Sequence, residues 1–258
     1  MNDDALQERL VVAKALALQV GAKALAYFNN RSQLLVQHKG LQDLVTQVDQ
    51  AVEKEITESL LKDFPTDTVF GEEAGGTPSP AVWVIDPIDG TTNFVRGNPY
   101  FCISIAFVLH QEIVIGVVYD PVADELYSAL KSQGAHCNGT ALTASTCGNL
   151  TEALLGLGFS RRTDPSDYAR MVEKLMHAGC EYRRYGAAAL MLAHTAAGRF
   201  DGFFELHLNS WDALAGLILC LEAGAYVEPF LNSNALIEGN RALVCPKNLQ
   251  ETFLKLFE

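Results

Sequence analysis

What this sequence lacks narrows it first. Its six cysteines, at positions 102, 137, 147, 180, 220 and 245, form no Cys-x-x-Cys pair, so neither a zinc site nor a disulfide framework is indicated. Several fall in apolar runs, where a small buried thiol is the expected role. The six histidines form no i,i+4 pair. His207, between Glu205 and Asp212, stands alone and reads as a surface or neighbouring side chain rather than a metal ligand. No unbroken apolar run approaches a membrane span, and the run 103–109 is interrupted by Ser104. The opening Met1-Asn2-Asp3-Asp4 is acidic and lacks the basic start of a secretory signal. The expectation is a cytoplasmic protein with no membrane partner. Positive charge is also short: the formal net charge is −12, which argues against a broad nucleic-acid surface. An anionic substrate stays open if bound metal inverts the local charge. There is no internal repeat and no low-complexity linker.

What is there is ordinary for a globular chain: 258 residues, 49% hydrophobic and 19% charged. Residues 3–29 carry Leu6, Leu10, Ala13, Ala17 and Leu25 at helical spacing behind two acids. A polar segment with Lys39-Gly40 near its centre leads to a second helix with Val48, Val52, Ile56 and Leu60 on one face. Asp49 near its start has a capping reading of its own. Residues 101–109 and 112–120 read as a hairpin turning near His110-Gln111, and Asn138-Gly139 signals a tight turn. After position 150 strands and helices alternate, with Gly198 and Gly224 placed to stop helices. Residues 1–148 form an α+β part and residues 149–258 an α/β part, expected to share one compact unit.

The stretch Trp83-Val-Ile-Asp86-Pro87-Ile-Asp89-Gly90-Thr91-Thr92-Asn93-Phe94 bears the chemistry. Its front is an apolar, β-prone strand. Pro87 fixes φ and has no amide hydrogen, so the ladder is expected to stop there. Gly90 allows backbone geometry closed to other residues and lets a ligand approach the main chain. Two carboxylates thus sit at a strand's mouth beside free amides and two hydroxyls. An Asx-rich turn is the bland alternative, and it leaves the acid spacing unexplained.

Glu72, Asp86, Asp89 and Asp212 all lie at the starts or ends of apolar elements. Several carboxylates gathered in a poorly solvated place need cations. Oxygen-only ligands without cysteine or paired histidine suggest Mg²⁺. Two such ions roughly 3.5–4 Å apart clamp both oxygens of an in-line displacement. Asp49 with the Thr91 hydroxyl can orient or deprotonate water, and amides near Gly90-Thr91 can hold phosphate oxygens.

These residues resemble the inositol monophosphatase family, within the lithium-sensitive, metal-dependent sugar-phosphatase superfamily. The likeness runs through Lys39 with Asp43-Leu-Val-Thr-x-x-Asp49, then Gly71-Glu72-Glu73, then the stretch from Trp83 to Phe94. It continues through Arg183-x-x-Gly186-x-Ala188-Ala189-Leu190 and Gly198-x-x-Asp201-x-x-x-Glu205 to Trp211-Asp212. The resemblance implies a layered α-β-α-β-α sandwich, commonly a homodimer, that hydrolyses the phosphomonoester of inositol or a related polyol or sugar. It implies Mg²⁺ at two or three sites: one on Glu72, Asp86 and the Ile88 carbonyl, one on Asp86, Asp89 and Asp212, and a weaker one on Glu72. By the same resemblance Asp49 and Thr91, with Glu72, activate water. Asp89, Gly90, Thr91, Ala188 and Glu205 contact substrate, and Lys39 lies on a loop beside the metals.

The Thr91-Thr92-Asn93-Phe94 ending favours inositol phosphates over histidinol phosphate or 3′-phosphoadenosine 5′-phosphate, the alternatives within the superfamily. An alternative of another class is a regulatory partner in a transcription complex. The chain departs from the family in having Ala187 where a hydroxyl is common and a short loop between Glu73 and Trp83. After Gly224 it also lacks the usual Gly-Gly and Asp-x-x-Gly turn. These departures bear on the substrate.

Overall fold

The computed structural model describes residues 1–30, 36–40 and 43–257. The outer layer is α1 (Asp3–Asn29) with α2 (Gln47–Asp63). Asn2 caps α1 by accepting the Ala5 amide, with Asp3 and Asp4 in its first turn, where the helix dipole favours negative charge. Leu10, Ala13, Ala17, Val20 and Ala24 recur at helical period on its buried stripe. At 27 residues, with a mean hydropathy of 1.4 over its most apolar window, α1 is long and apolar enough to cross a bilayer by length and composition. A count of unbroken apolar residues does not register this, because scattered polar residues interrupt the run. Here the buried stripe lies against the sheet. Arg9 joins it there: its guanidinium grips both carboxylate oxygens of Asp67 at 2.9 and 3.0 Å, and both side chains are buried.

A seven-stranded sheet follows in chain order. Its strands are β3 (Thr68–Gly71), β4 (Ala81–Asp89), β5 (Cys102–Leu109), β6 (Glu112–Asp120), β7 (Glu125–Leu130), β8 (Ala135–Cys137) and β9 (Thr140–Ala141). Only the β3–β4 pair is parallel. The expected hairpin turns on His110 and Gln111, both left-handed at φ 51° and 64°, the sense that matches strand twist.

The second sheet runs β11-β10-β12-β14-β13. It is built from β10 (Leu154–Leu157), β11 (Glu181–Arg183), β12 (Gly202–Leu208), β13 (Tyr226–Val227) and β14 (Asn240–Cys245). Between the sheets lie α5 (Ala188–Ala196) and α6 (Ser210–Glu222), while α4 (Pro165–His177) and α8 (Gln250–Leu256) cover the far face. The result is the five-layer α-β-α-β-α order.

Strand alternation builds those layers. Val82 and Val84 face α5 and α6, whereas Trp83 and Ile85 face α1 and α2. Phe203 joins the middle layer and its neighbour Phe204 the outer one. Sheets buried on both faces read as continuous apolar runs, which is how β4 to β6 appear in the sequence. Gly116 of β6 allows a close approach to the middle layer, since a Cβ there would stand 2.5 Å from the Ala215 carbonyl of α6.

Two expectations need correction. The β4 ladder does not stop at Pro87 but continues to Asp89, with an irregularity in the pairing to β5 between Asp86 and Asp89. The parallel partner β3 ends opposite Ile85, so Pro87 lies where β4 has a single neighbour and no amide hydrogen is required of it. Lys39, expected on a loop, falls in β1 (Val36–Gly40), which pairs with β2 (Asp43–Thr46); its side chain lies outside the described residues. The short α3 (Thr91–Arg96) and α7 (Ala235–Glu238) carry too few periodic residues to show in the sequence.

Candidate active site

The pairing irregularity in β4 sets the site. Ordinary alternation would place the side chains of residues 86 and 89 on opposite faces of the strand. The irregular segment instead brings both acids to the same end of the sheet, where Asp212 arrives on the first turn of α6. Carboxylate oxygens of Asp86, Asp89 and Asp212 all lie within 4.8 Å of one another. Asp86 and Asp89 are buried, Asp212 half-buried.

Each acid is anchored by a different segment of the chain. The Ile88 amide donates to Asp86 Oδ1 at 2.9 Å. Amides of Ala188 and Leu190, at the start of α5, donate to the two oxygens of Asp89 at 3.0 and 3.3 Å. Asn209 Nδ2 donates to Asp212 Oδ2 at 3.0 Å. Helix α5 thus turns its N-terminal amides on Asp89, where a carboxylate is favoured.

Burial is the first cause of the raised pKa values throughout. Asp86 is pushed well above the usual carboxylate range by burial, then by the charges of Glu72, Asp89 and Asp212. Burial and then Asp212 lift Asp89 to about 7, against the pull of the two α5 amides. Asp212 and Glu205 are raised as well, again by burial first. Like charges in a desolvated place disfavour ionisation until a cation joins them.

That demand, with a donor set made only of hard oxygens, fits Mg²⁺. Glu72 stands next to Asp86 at the end of β3, and its amide donates to the Ile85 carbonyl of β4 at 3.2 Å. The Ile88 carbonyl faces the Thr91 hydroxyl at 3.1 Å.

Asp49 plays two parts. It closes a capping box at the start of α2: the Thr46 amide and hydroxyl donate to its Oδ2 at 2.9 and 2.5 Å. Its other oxygen, Oδ1, accepts from the Thr91 hydroxyl at 3.2 Å. The sequence offered capping and water activation as rival roles, and one carboxylate has oxygens for both. Gly90 makes the junction possible. Its φ is 94°, and a Cβ there would stand 3.0 Å from both the Ala187 Cβ and the Tyr100 carbonyl.

Beside the acids lies a cavity of about 220 Å³, lined by Asp89, Ala188, Glu205 and Asp212, which the sequence analysis singled out. It is also lined by His207, read from the sequence as a surface or neighbouring side chain, and by Phe159, Arg184 and Asn209, which the sequence does not mark. No spacing rule points to these three, because the second sheet alone brings them here. Glu53 was missed with less excuse. This buried acid of α2 accepts the Glu73 and Ala74 amides at 2.8 and 2.7 Å, fixing the loop that carries Glu72. It lies one helical turn after Asp49 on an otherwise apolar face, a readable signal.

Fold and acid cluster together define a layered α/β protein of the sugar-phosphatase type with a buried carboxylate centre. The family model described as "Inositol monophosphatase family" matches residues 5–258, and the chain belongs to that family. It is 43% identical over 208 residues to the Nus factor SuhB of Escherichia coli K12, covering 78% of each chain. Among solved structures it resembles the extragenic suppressor protein suhB of Bartonella henselae, with TM-score 0.90 and 30% identity over 97% of this chain and 98% of that one. It also resembles the IMPase of Thermotoga maritima, with TM-score 0.86 and 30% identity over 97% and 96%.

Proposed function

We propose that the chain is a Mg²⁺-dependent phosphomonoesterase acting on inositol monophosphate or a related polyol phosphate. The observation that carries this reading is the convergence of Asp86, Asp89 and Asp212 within 4.8 Å, with Glu72 beside them and the Asp49–Thr91 contact alongside. Glu72, Asp86 and the Ile88 carbonyl would hold one ion, and Asp86, Asp89 and Asp212 a second. When bound, such ions supply positive charge to phosphoryl oxygens and acidify water.

The protein's own groups do the rest. Thr91 has one hydroxyl proton and two acceptors in reach, Asp49 Oδ1 and the Ile88 carbonyl. Its oxygen lone pairs stay available to a water hydrogen. A proton leaving that water can pass through the Thr91 hydroxyl to Asp49, whose affinity for protons is raised by burial. Amides at Gly90 and Thr91, at the start of α3, are placed to receive phosphate oxygens, and Glu205 to accept from substrate hydroxyls.

The test is a panel of phosphate monoesters scored by kcat/KM under Mg²⁺ titration. Preference for inositol or another polyol monophosphate is expected. Preference for histidinol phosphate or 3′-phosphoadenosine 5′-phosphate would overturn the substrate, and no Mg²⁺-dependent hydrolysis of any ester would overturn the reaction.

A second reading is a transcription-related role as a protein partner, favoured by the name Nus factor carried by the 43% identical relative. Asp89→Asn separates the two. A cellular phenotype lost along with phosphatase activity supports catalysis, while one that survives in the inactive variant supports partnership.

A further inference from the structure

A second buried acid of α2, Glu53, grips the turn that carries Glu72. Its Oε2 and Oε1 accept the amides of Glu73 and Ala74 at 2.8 and 2.7 Å, and the residue is 3% exposed. A carboxylate taken out of water needs strong donors to offset the loss, and two of them here are successive backbone amides of one turn. That turn closes on itself. Gly71 and Gly75 exchange amide–carbonyl bonds at 2.9 and 3.1 Å, with Gly75 at φ 67° and Gly76 at φ 140°. Glu72 lies inside it, one residue before the first amide that Glu53 holds.

Gly71 gives the carboxylate its room. It belongs to β3 and is not among the glycines at positive φ, so space rather than backbone conformation calls for glycine there. A Cβ at this position would stand 2.5 Å from Glu53 Cδ and would press the acid away from the turn.

Helix α2 thereby joins two parts of the site. Asp49, one turn before Glu53, is buried on the same helix and meets the Thr91 hydroxyl through its Oδ1. One turn of a helix spans about 5.4 Å, so a single rigid element fixes both the partner of Thr91 and the turn of Glu72. From the other side the Glu72 amide donates to the Ile85 carbonyl of β4 at 3.2 Å. Glu72 itself stands next to Asp86.

We propose that Glu53 is a positioning residue: by holding the Glu73 and Ala74 amides it sets the Glu72 carboxylate against Asp86, and so determines how tightly Mg²⁺ is held by Glu72, Asp86 and the Ile88 carbonyl. The inference rests on the metal site of the phosphatase reading and deepens it. Its action runs through Glu72. Altering a group that orients a metal ligand weakens metal binding by about tenfold to a hundredfold.

The experiment measures Mg²⁺ binding by calorimetric titration of the full chain as wild type, Glu53→Gln, Glu72→Ala and the double variant, with thermal melts of each. Gln matches Glu in size but replaces one oxygen with an NH₂ group, which cannot accept from a backbone amide. Mg²⁺ affinity in Glu53→Gln is expected to fall about tenfold to a hundredfold, and hydrogen exchange over residues 72–75 to speed up. In the Glu72→Ala background the same substitution should leave the remaining Mg²⁺ binding unchanged, because the ligand that it positions is gone. Gly71→Ala presses on the same carboxylate and should repeat the loss of affinity, which gives a second route to this readout should Glu53→Gln fail to fold. A lowered Tm with unchanged Mg²⁺ affinity marks a merely structural role and overturns the proposal. So does an equal loss of affinity with and without Glu72. Both results leave the phosphatase reading standing, whereas a wild type that binds no Mg²⁺ overturns the reading and the proposal together.

Discussion

The Thr91 hydroxyl lies 3.2 Å from Asp49 Oδ1, joining residues 42 apart in the chain. The contact links the first turn of α2 to the first turn of α3, both at the rim of the acid cluster. Thr91→Ala removes the hydroxyl and leaves the Thr46 capping box intact, so kcat should fall by about 10²–10⁴ with little change in Tm. Asp49→Ala should lose similar activity and, in addition, about 1 kcal/mol of cap stability. Steady-state kinetics with thermal melts of both variants separate the two roles. Equal losses of stability would undo the division.

The acid cluster should make metal-free protein less stable as pH rises. A carboxylate whose folded pKa is raised contributes stability below its unfolded pKa and loses it as pH rises through the folded one. For Asp89 that window runs from about 4 to about 7. On the proposed function Mg²⁺ would bind only the ionised, folded cluster, so the rise in Tm on adding it should grow across the same window. At a hundredfold excess over Kd the added stability should reach about 2.7 kcal/mol. Melts with and without Mg²⁺ from pH 4.5 to 7.5 test this. An increment that does not vary with pH would count against the cluster as the binding place.

His194 should act in the opposite sense. Arg199 donates to its Nε2 at 3.1 Å, so Nδ1–H faces the Tyr100 hydroxyl, also at 3.1 Å. Burial, then the Arg199 charge, lower its pKa to about 4. The unfolded chain takes up this proton near pH 6.5, so the contribution to stability is full above that value and falls away as pH drops toward 4. On the order of 2–3 kcal/mol is at stake. His194→Gln should flatten the pH dependence of the urea midpoint between 4 and 6.5, and an unaltered slope would reject the assignment.

Arg9 and Asp67 form a buried pair that also receives the Trp83 indole N–H at 3.2 Å. Arg9→Met leaves a buried carboxylate without its cation and should cost about 3–5 kcal/mol. Adding Asp67→Asn keeps an acceptor for Trp83 and removes the charge, so the double variant should be the more stable of the two. Urea denaturation of both settles the order.

Much of this was open to sequence reasoning because the signals were local. The period of residues 3–29, the apolar runs of β4 to β6, the Asn138-Gly139 turn and the spacing around Asp86 each depend on neighbours a few positions away. The Pro87 expectation failed for a non-local reason: whether a strand tolerates proline depends on where its partner strand ends. Glu53 could have been found, as a second acid one turn after Asp49.

By itself, then, the sequence determined the longer helices and the main strands, and it marked the acids as a group, because alternation, periodicity and turn chemistry are short-range. Only the tertiary structure decided which oxygens meet. Asp212 reaches Asp86 because α6 packs between two sheets, and Asp49 divides its oxygens between Thr46 and Thr91. The lone histidine expected near the surface lines the site cavity, in a stretch where the pairing of β12 with β14 is irregular. Burial and partner geometry are properties of packed layers, and no single segment encodes them.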